Sequence, residues 1–227
     1  MKKIIVLSLG GSQIIPNDIN LKFIREFKKV IKKHTNKYKF IIVCGGGSIA
    51  RKYISALEQE KLSTRLQSLA GISATRMNAR FMNYFFNLEP TNGIPTTTKE
   101  LKNYLKKQDI IFCGALEYKS NQTSDSTSAE IAKQFKTNFI NITNVSGLYN
   151  KNPKKFKDAK FIKFISWKNF YKMANKSKFK PGQHFVLDQT AAKIILKNKI
   201  PAYIIGSNKD LNNFLSYKEF KGSTIKN

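Results

Sequence analysis

The sequence has 227 residues, with 41 Lys plus Arg against 14 Asp plus Glu and a formal charge of +27. Its 41% hydrophobic and 12% aromatic content excludes a disordered chain and leaves room for a sizeable core, and no apolar run nears the roughly 18 residues of a membrane span. Two cysteines exclude a disulfide scaffold, and no Cys-x-x-Cys spacing or histidine cluster suggests a metal site.

In chain order, MKKIIVLSLGGS opens with two lysines and a short apolar run. Glycines follow that run where a leader would carry a small-residue cleavage site, so it reads as a first strand, Lys3–Leu9, and the expectation is a cytoplasmic protein. A helix follows from Ile19 to Lys33, with Leu21, Ile24, Phe27 and Ile31 on one stripe and lysines opposite. The next strand, Lys39–Cys44, stops at Gly45, Gly46 and Gly47, and a helix runs from Ser48 to about Gln59. Further strands are expected at Asp109–Cys113, Asn138–Ile142, Phe161–Ile165 and Pro201–Ile205. A helix starts near Asp125 and carries Ile131, Ala132 and Phe135. Ser166 caps Trp167–Ala174, whose Trp167, Phe170, Tyr171 and Ala174 line a core face. A last helix runs from Asp188 to about Lys197. Leu88–Thr98, with two prolines, and Leu116–Thr123, polar and without periodicity, stay unassigned. The alternation argues for an α/β fold with a largely parallel sheet. Cys44 and Cys113, each ending an apolar run, read as small buried strand residues.

The lysines are spread through almost every segment, mostly on polar helix faces, with no arginine-rich tract and no helix-turn-helix or zinc-finger spacing. Nucleic-acid binding is therefore not expected as the main function, while the positive field favours small anionic substrates. Two strand–glycine–helix units, IVLSLGGS and IIVCGGGS, offer backbone N–H groups to phosphate oxygens at one edge of the sheet. Neither matches the G-x-x-x-x-G-K-[ST] or G-x-G-x-x-G fingerprint. Gln122–Glu130, rich in hydroxyls, reads either as a plain N-cap or as a set of donors with one acid facing a substrate. Asn141–Lys155 reads as a turn, or as a heterocycle pocket built from Thr143, Asn144 and Tyr149. His34 and His184 fall at a lysine-rich helix end and in a loop and read as surface residues. Phosphoryl transfer needs no histidine.

Taken in order, LSLGGS, CGGGSIARKY, GISATRMNA, QTSDSTSAEIA, ITNVSGLYNKNPKK, VLDQTAAKII and a terminal KGSTI resemble the amino-acid-kinase superfamily, and more closely its archaeal-type uridylate (UMP) kinases. The resemblance implies a three-layer α/β/α sandwich with a mainly parallel central sheet, a single domain over 1–227, and a homohexamer. Residues 1–115 would bind the acceptor and 116–227 ATP. The implied reaction is ATP + UMP → ADP + UDP with Mg²⁺, a step of pyrimidine nucleotide synthesis. By the same resemblance Gly10, Gly11, Ser12, Gly47, Arg51, Thr143, Asn144, Tyr149 and Asn152 bind ATP, and Gly46, Ser68, Thr123 and Ser124 bind UMP. Arg51, Gly10, Gly11 and Asp125 form the catalytic set, Lys193 is a further candidate cation, and no metal ligand is assigned. The chain departs from the family pattern at Ser8, where many members carry lysine, at Ser68, Ser146 and Asn152, where acids are usual, and in a longer loop before Thr123. The alternatives are a divergent non-catalytic nucleotide-binding or storage subunit, and a kinase for another small phosphate acceptor.

Overall fold

The structure is a computed structural model that describes residues 2–88, 93–118, 123–153, 155–175 and 187–227. Five parallel strands form its centre: β1 (Lys3–Leu9), β2 (Tyr38–Cys44), β3 (Ile110–Cys113), β4 (Phe139–Ile142) and β8 (Ala202–Ile205). They read as near-continuous apolar runs because both faces are covered. β9 (Gly222–Ile225) adds antiparallel to β8, and β7 (Phe164–Ile165) closes the edge, giving the order β3-β2-β1-β4-β8-β9-β7. The expected single strand over Phe161–Ile165 is in fact two. Phe161–Ile162 forms β6, which pairs antiparallel with β5 (Leu148–Tyr149) in a separate hairpin.

Alternate strand residues point to opposite layers. Val6, Ile41, Val43, Ile111, Phe139 and Ile204 pack against α5 (Thr98–Lys107), α6 (Ser124–Gln134), α7 (Trp167–Ala174) and α8 (Gln189–Asn198). Leu7, Leu9, Phe40, Ile42, Phe112 and Ile140 pack against α1 (Gly11–Ile14), α2 (Leu21–Lys33), α4 (Thr64–Phe85) and α9 (Asn208–Leu215). The three-layer α/β/α sandwich is thus present, with α3 (Gly47–Gln59) lying on α4. Cys44 and Cys113 are buried and free, as expected.

Four helices, α1, α4, α5 and α9, lie where no element is expected from the sequence. One residue moves from surface to core. His34 is 4% exposed, and its Nε2 lies 3.1 Å from Asn212 Oδ1 of α9. Burial holds the imidazole below its ordinary pKa, opposed by that hydrogen bond and reinforced by Lys33 and Lys37. His184 lies outside the described residues. No described helix is long and apolar enough to cross a membrane.

Candidate active site

The chain runs from β1 outward to β2 and β3, then returns to place β4 on the other side of β1. A topological switch point therefore falls between β1 and β4, where open parallel sheets bind ligands beyond the carboxyl ends of their strands. A cavity of about 700 Å³ opens there, toward the upper part of the range for ligand sites.

The two glycine loops meet at its floor, and they meet each other. Gly45 N donates to Leu9 O at 2.9 Å, and Gly10 N donates to Ile142 O at 2.9 Å. A Cβ on Gly11 would lie 2.0 Å from Gly47 N, and one on Gly45 would lie 2.5 Å from Gly11 N. The glycines are small because backbone packs on backbone: Gly10 and Gly45 spend their N–H groups on Ile142 and Leu9, and Gly10, Gly11, Gly45, Gly46 and Gly47 all line the cavity. Gly47 also needs the left-handed backbone, with φ +64°. Side chains lock the arrangement from outside: Asn78 Nδ2 of α4 donates to Gly45 O at 2.7 Å, and Gln13 Nε2 donates to Thr143 O.

The N-termini of α3, α6 and α8 converge on the cavity. The first turn of α3 has no side-chain cap, and although Ser48 N donates to Ile15 O at 3.0 Å, the helix end keeps its partial positive charge for an anion. Arg51, one turn along α3, lines the cavity and donates from Nη2 to Pro16 O at 3.2 Å. The other two helix ends are joined by a buried acid. Asp188 Oδ1 accepts from Ala191 N at 2.8 Å and caps α8, while Oδ2 accepts from Ser126 N at 3.2 Å and Thr123 Oγ1 at 2.5 Å. Burial raises the Asp188 pKa, and these hydrogen bonds oppose the rise.

Asp125 faces the cavity beside it. Ser8 Oγ donates to its Oδ1 at 2.6 Å, so this hydroxyl is spent on the carboxyl. Burial, and then the charge of Asp188, push Asp125 up from its ordinary 3.8 to about 7, against the Ser8 hydrogen bond.

The expected contact residues all line this one cavity: Gly10, Gly11, Ser12, Gly46, Gly47, Arg51, Ser68, Thr123, Ser124, Asp125, Thr143, Asn144, Tyr149 and Asn152. Lys193 does not; it is exposed on α8. Unforeseen from the sequence are Ile54, Gly71, Ile72 and Thr75 of α3 and α4, Lys151 and Lys155 beyond β5, and Asn141 in β4. Asn141 did carry a signal, as a polar residue inside the apolar strand FINI, where burial without purpose is costly. Thr75 and Arg76 reach across from α4 to the chain after β3. Thr75 Oγ1 accepts from Ala115 N at 3.0 Å, and Arg76 donates from Nε to Ala115 O at 3.1 Å and from Nη2 to Leu116 O.

A three-layer sandwich with paired glycine loops, helix N-termini and cations at the switch point defines a protein that handles phosphate groups. The sequence profile described as the amino acid kinase family matches residues 3–206, and the chain belongs to that family. Within it, the chain is similar to the uridylate kinase of Thermoplasma volcanium, 33% identical over 99% of this chain and 97% of that one. It is also similar to the uridylate kinase of Archaeoglobus fulgidus, 33% identical over 88% of this chain and 90% of that one. The crystal structure of uridylate kinase from Archaeoglobus fulgidus superposes with a TM-score of 0.82 over 98% of this chain and 99% of that one, at 29% identity.

Proposed function

We propose that the chain transfers the γ-phosphoryl group of ATP to UMP, giving ADP and UDP in pyrimidine nucleotide synthesis. The observation that carries this reading is the interlocked pair of glycine loops at the switch point, flanked by the uncapped N-terminus of α3 and by Arg51. Similarity to uridylate kinases over nearly the whole chain supports the acceptor. The chain acts as one domain, with residues 1–115 mainly on the acceptor side and 116–227 mainly on the ATP side.

In this reading Gly10, Gly11, Ser12, Gly47 and Arg51 hold the ATP phosphates, while Thr143, Asn144, Tyr149 and Asn152 hold its nucleoside. Gly46, Ser68, Thr123 and Ser124 hold UMP. The acceptor phosphate is already an anion at neutral pH, so no general base is required. The protein aligns attacking and leaving oxygens and offsets the charge that develops. Backbone N–H groups are fixed dipoles there and need no reorganisation during reaction.

Mg²⁺ fits the donor set in one form. Among the described residues no group of three or more His, Cys, Asp or Glu could cage a metal. Asp188 is committed to two helix ends, and Asp125 faces the cavity. One or two carboxylates plus substrate phosphates is the usual magnesium environment, so Asp125 together with the nucleotide phosphates would hold the ion. Bound there, it would neutralise phosphate charge.

An exposed apolar surface supports a reading of self-assembly. Leu66, Leu69, Met77 and Tyr84 are exposed along α4, with Leu62 before it and Tyr53 on α3. An apolar stripe of this kind suits a contact between copies, and we read it as part of a homo-oligomer, a hexamer by family resemblance. The two buried thiols suit the reducing cytoplasm.

The test is ADP release with ATP, Mg²⁺ and a panel of phosphate acceptors. UMP is expected as the preferred acceptor. Failure to phosphorylate any pyrimidine monophosphate overturns the reading, and ATP binding without turnover favours a non-catalytic nucleotide-binding subunit. Arg51→Ala is expected to lower kcat at least tenfold in the same assay, because a charge facing the transferred group is lost. Unchanged kcat would remove Arg51 from the site.

A further inference from the structure

We propose that Ser223 of β9, beyond the residues that the family profile matches, is a positioning residue for the ATP side of the site. The proposal rests on the assignment of the β5–β6 hairpin side of the cavity to ATP. That hairpin has two residues in each strand and is not part of the seven-stranded sheet. An isolated pair so short has little stability of its own. Yet Tyr149, Asn150, Lys151, Asn152 and Lys155, all carried on it, form one wall of the cavity. Something must fix that wall to the sheet.

The Ser223 hydroxyl does so with both of its hydrogen-bonding functions. Its side chain is fully buried. Oγ accepts from Leu148 N at 2.7 Å and donates to Ile162 O at 2.5 Å. Leu148 and Ile162 face each other in the hairpin register, so one hydroxyl stands between both strands and ties each to β9. The fit around it is close, since a Cβ on Gly147 would lie 2.6 Å from Oγ. Thr224 N donates to Lys163 O at 2.9 Å, so the next residue of β9 holds the chain as it leaves the hairpin.

Removal of the hydroxyl leaves a buried amide and a half-buried carbonyl without this partner, and for the amide the loss exceeds the net value of the bond. The hairpin can then shift against the sheet. The opposite wall, built by α3 and α4, is held by other contacts, such as Asn78 to Gly45. The effect should therefore fall on one substrate and spare the other, which general loss of stability would not do.

The experiment measures steady-state kinetics and equilibrium ATP binding on the full chain for Ser223→Ala, Ser223→Thr and the control Ile225→Val. Ile225 is buried in the same strand and faces the core on the α6–α8 side. Ser223→Ala is expected to weaken ATP binding and raise KM for ATP at least fivefold, with KM for UMP within twofold of the parent. Ser223→Thr, which keeps the hydroxyl, should bring ATP binding back to within twofold. Ile225→Val should lower Tm without moving either KM. If Ser223→Ala does not fold, Ser223→Cys, a weaker donor and acceptor, is read by ATP binding with the same direction expected. Unchanged ATP binding in the variant lacking the hydroxyl overturns the proposal. So does a parallel rise in both KM values, or the same ATP defect in Ile225→Val. A parent chain that binds ATP but never phosphorylates UMP overturns the acceptor assignment while the ATP-binding arm still decides Ser223. A parent that binds no ATP overturns both.

Discussion

Gly11→Ala is expected to leave the chain unfolded, or less stable by at least about 4 kcal/mol, and without kinase activity. The new methyl carbon would sit 2.0 Å from Gly47 N and 2.7 Å from both Gly45 C and Gly47 Cα. A flexible side chain could swing aside, but these atoms are backbone. They cannot move without breaking Gly45 N to Leu9 O and Asn78 Nδ2 to Gly45 O. Both loops end central strands of the sheet, so the strain enters the core directly. Urea denaturation followed by circular dichroism measures the loss, and a midpoint equal to the parent's would show that the loops are not interlocked. A comparison substitution at Gly71 should be far milder, because its added Cβ would lie 3.3 Å from the tip of the Ile54 side chain, Cδ1.

The same contact shows which parts of the molecule can be read from the sequence. The three glycines after β2 announce a close approach, and phosphate is the natural candidate. That the first close approach is to the other glycine loop is a long-range fact, set by the pairing of β1 with β2 in register, Leu9 opposite Cys44. Strands β1, β2, β3, β4 and β8 are legible because burial on both faces makes each a continuous apolar run. α4 is not, because its exposed Leu66, Leu69, Met77 and Tyr84 blur the apolar stripe that marks a surface helix. α5 is unforeseen despite a usable signal: Thr97 Oγ1 accepts from Glu100 N, acid stands in the first turn and Lys106 and Lys107 in the last. α9 carries the same kind of cap, with Ser207 Oγ accepting from Asp210 N. His34 illustrates the opposite error. Lysines on both sides suggest solvent, while its own side chain is covered by α9, an element more than 170 residues away in the chain.

For the site, the local motifs place every expected contact residue on one cavity, yet they say little about charge. Lys151 and Lys155 bring cations to one wall of the cavity, and Ser8 brings a hydroxyl to the Asp125 carboxyl. These groups come to one site only after folding. Ser8 then reads as half of a pair with Asp125, 117 residues further on, a relation that no local pattern contains.

That pair makes the second large effect. Asp125→Asn is expected to lower kcat at least 100-fold while making the nucleotide-free chain more stable above neutral pH. The carboxyl is raised from 3.8 to about 7 in the folded state, first by burial and then by the neighbouring charge of Asp188. A raised folded-state pKa means that folding favours the protonated acid. Below about pH 4 both states are protonated and there is no penalty. Between about pH 4 and 7 the folded state must either hold its proton or bury a charge, so stability falls. Above about pH 7 the full penalty applies, on the order of 4 kcal/mol. Asparagine carries no proton, and its side-chain oxygen can still accept from Ser8. The gain in Tm over the parent should therefore be near zero at pH 4 and grow to roughly 8–16 °C at pH 8. Activity moves the other way, because the carboxylate would hold the Mg²⁺ that offsets phosphate charge, and weakening that hold costs the transition state about 3 kcal/mol or more. Such a residue is retained for function at a cost in stability. Calorimetry across pH 4–8 together with kcat at pH 8 checks both halves. A pH-independent difference in Tm would show that the carboxyl is not held by burial, and an unchanged kcat would show that Asp125 stands outside the reaction.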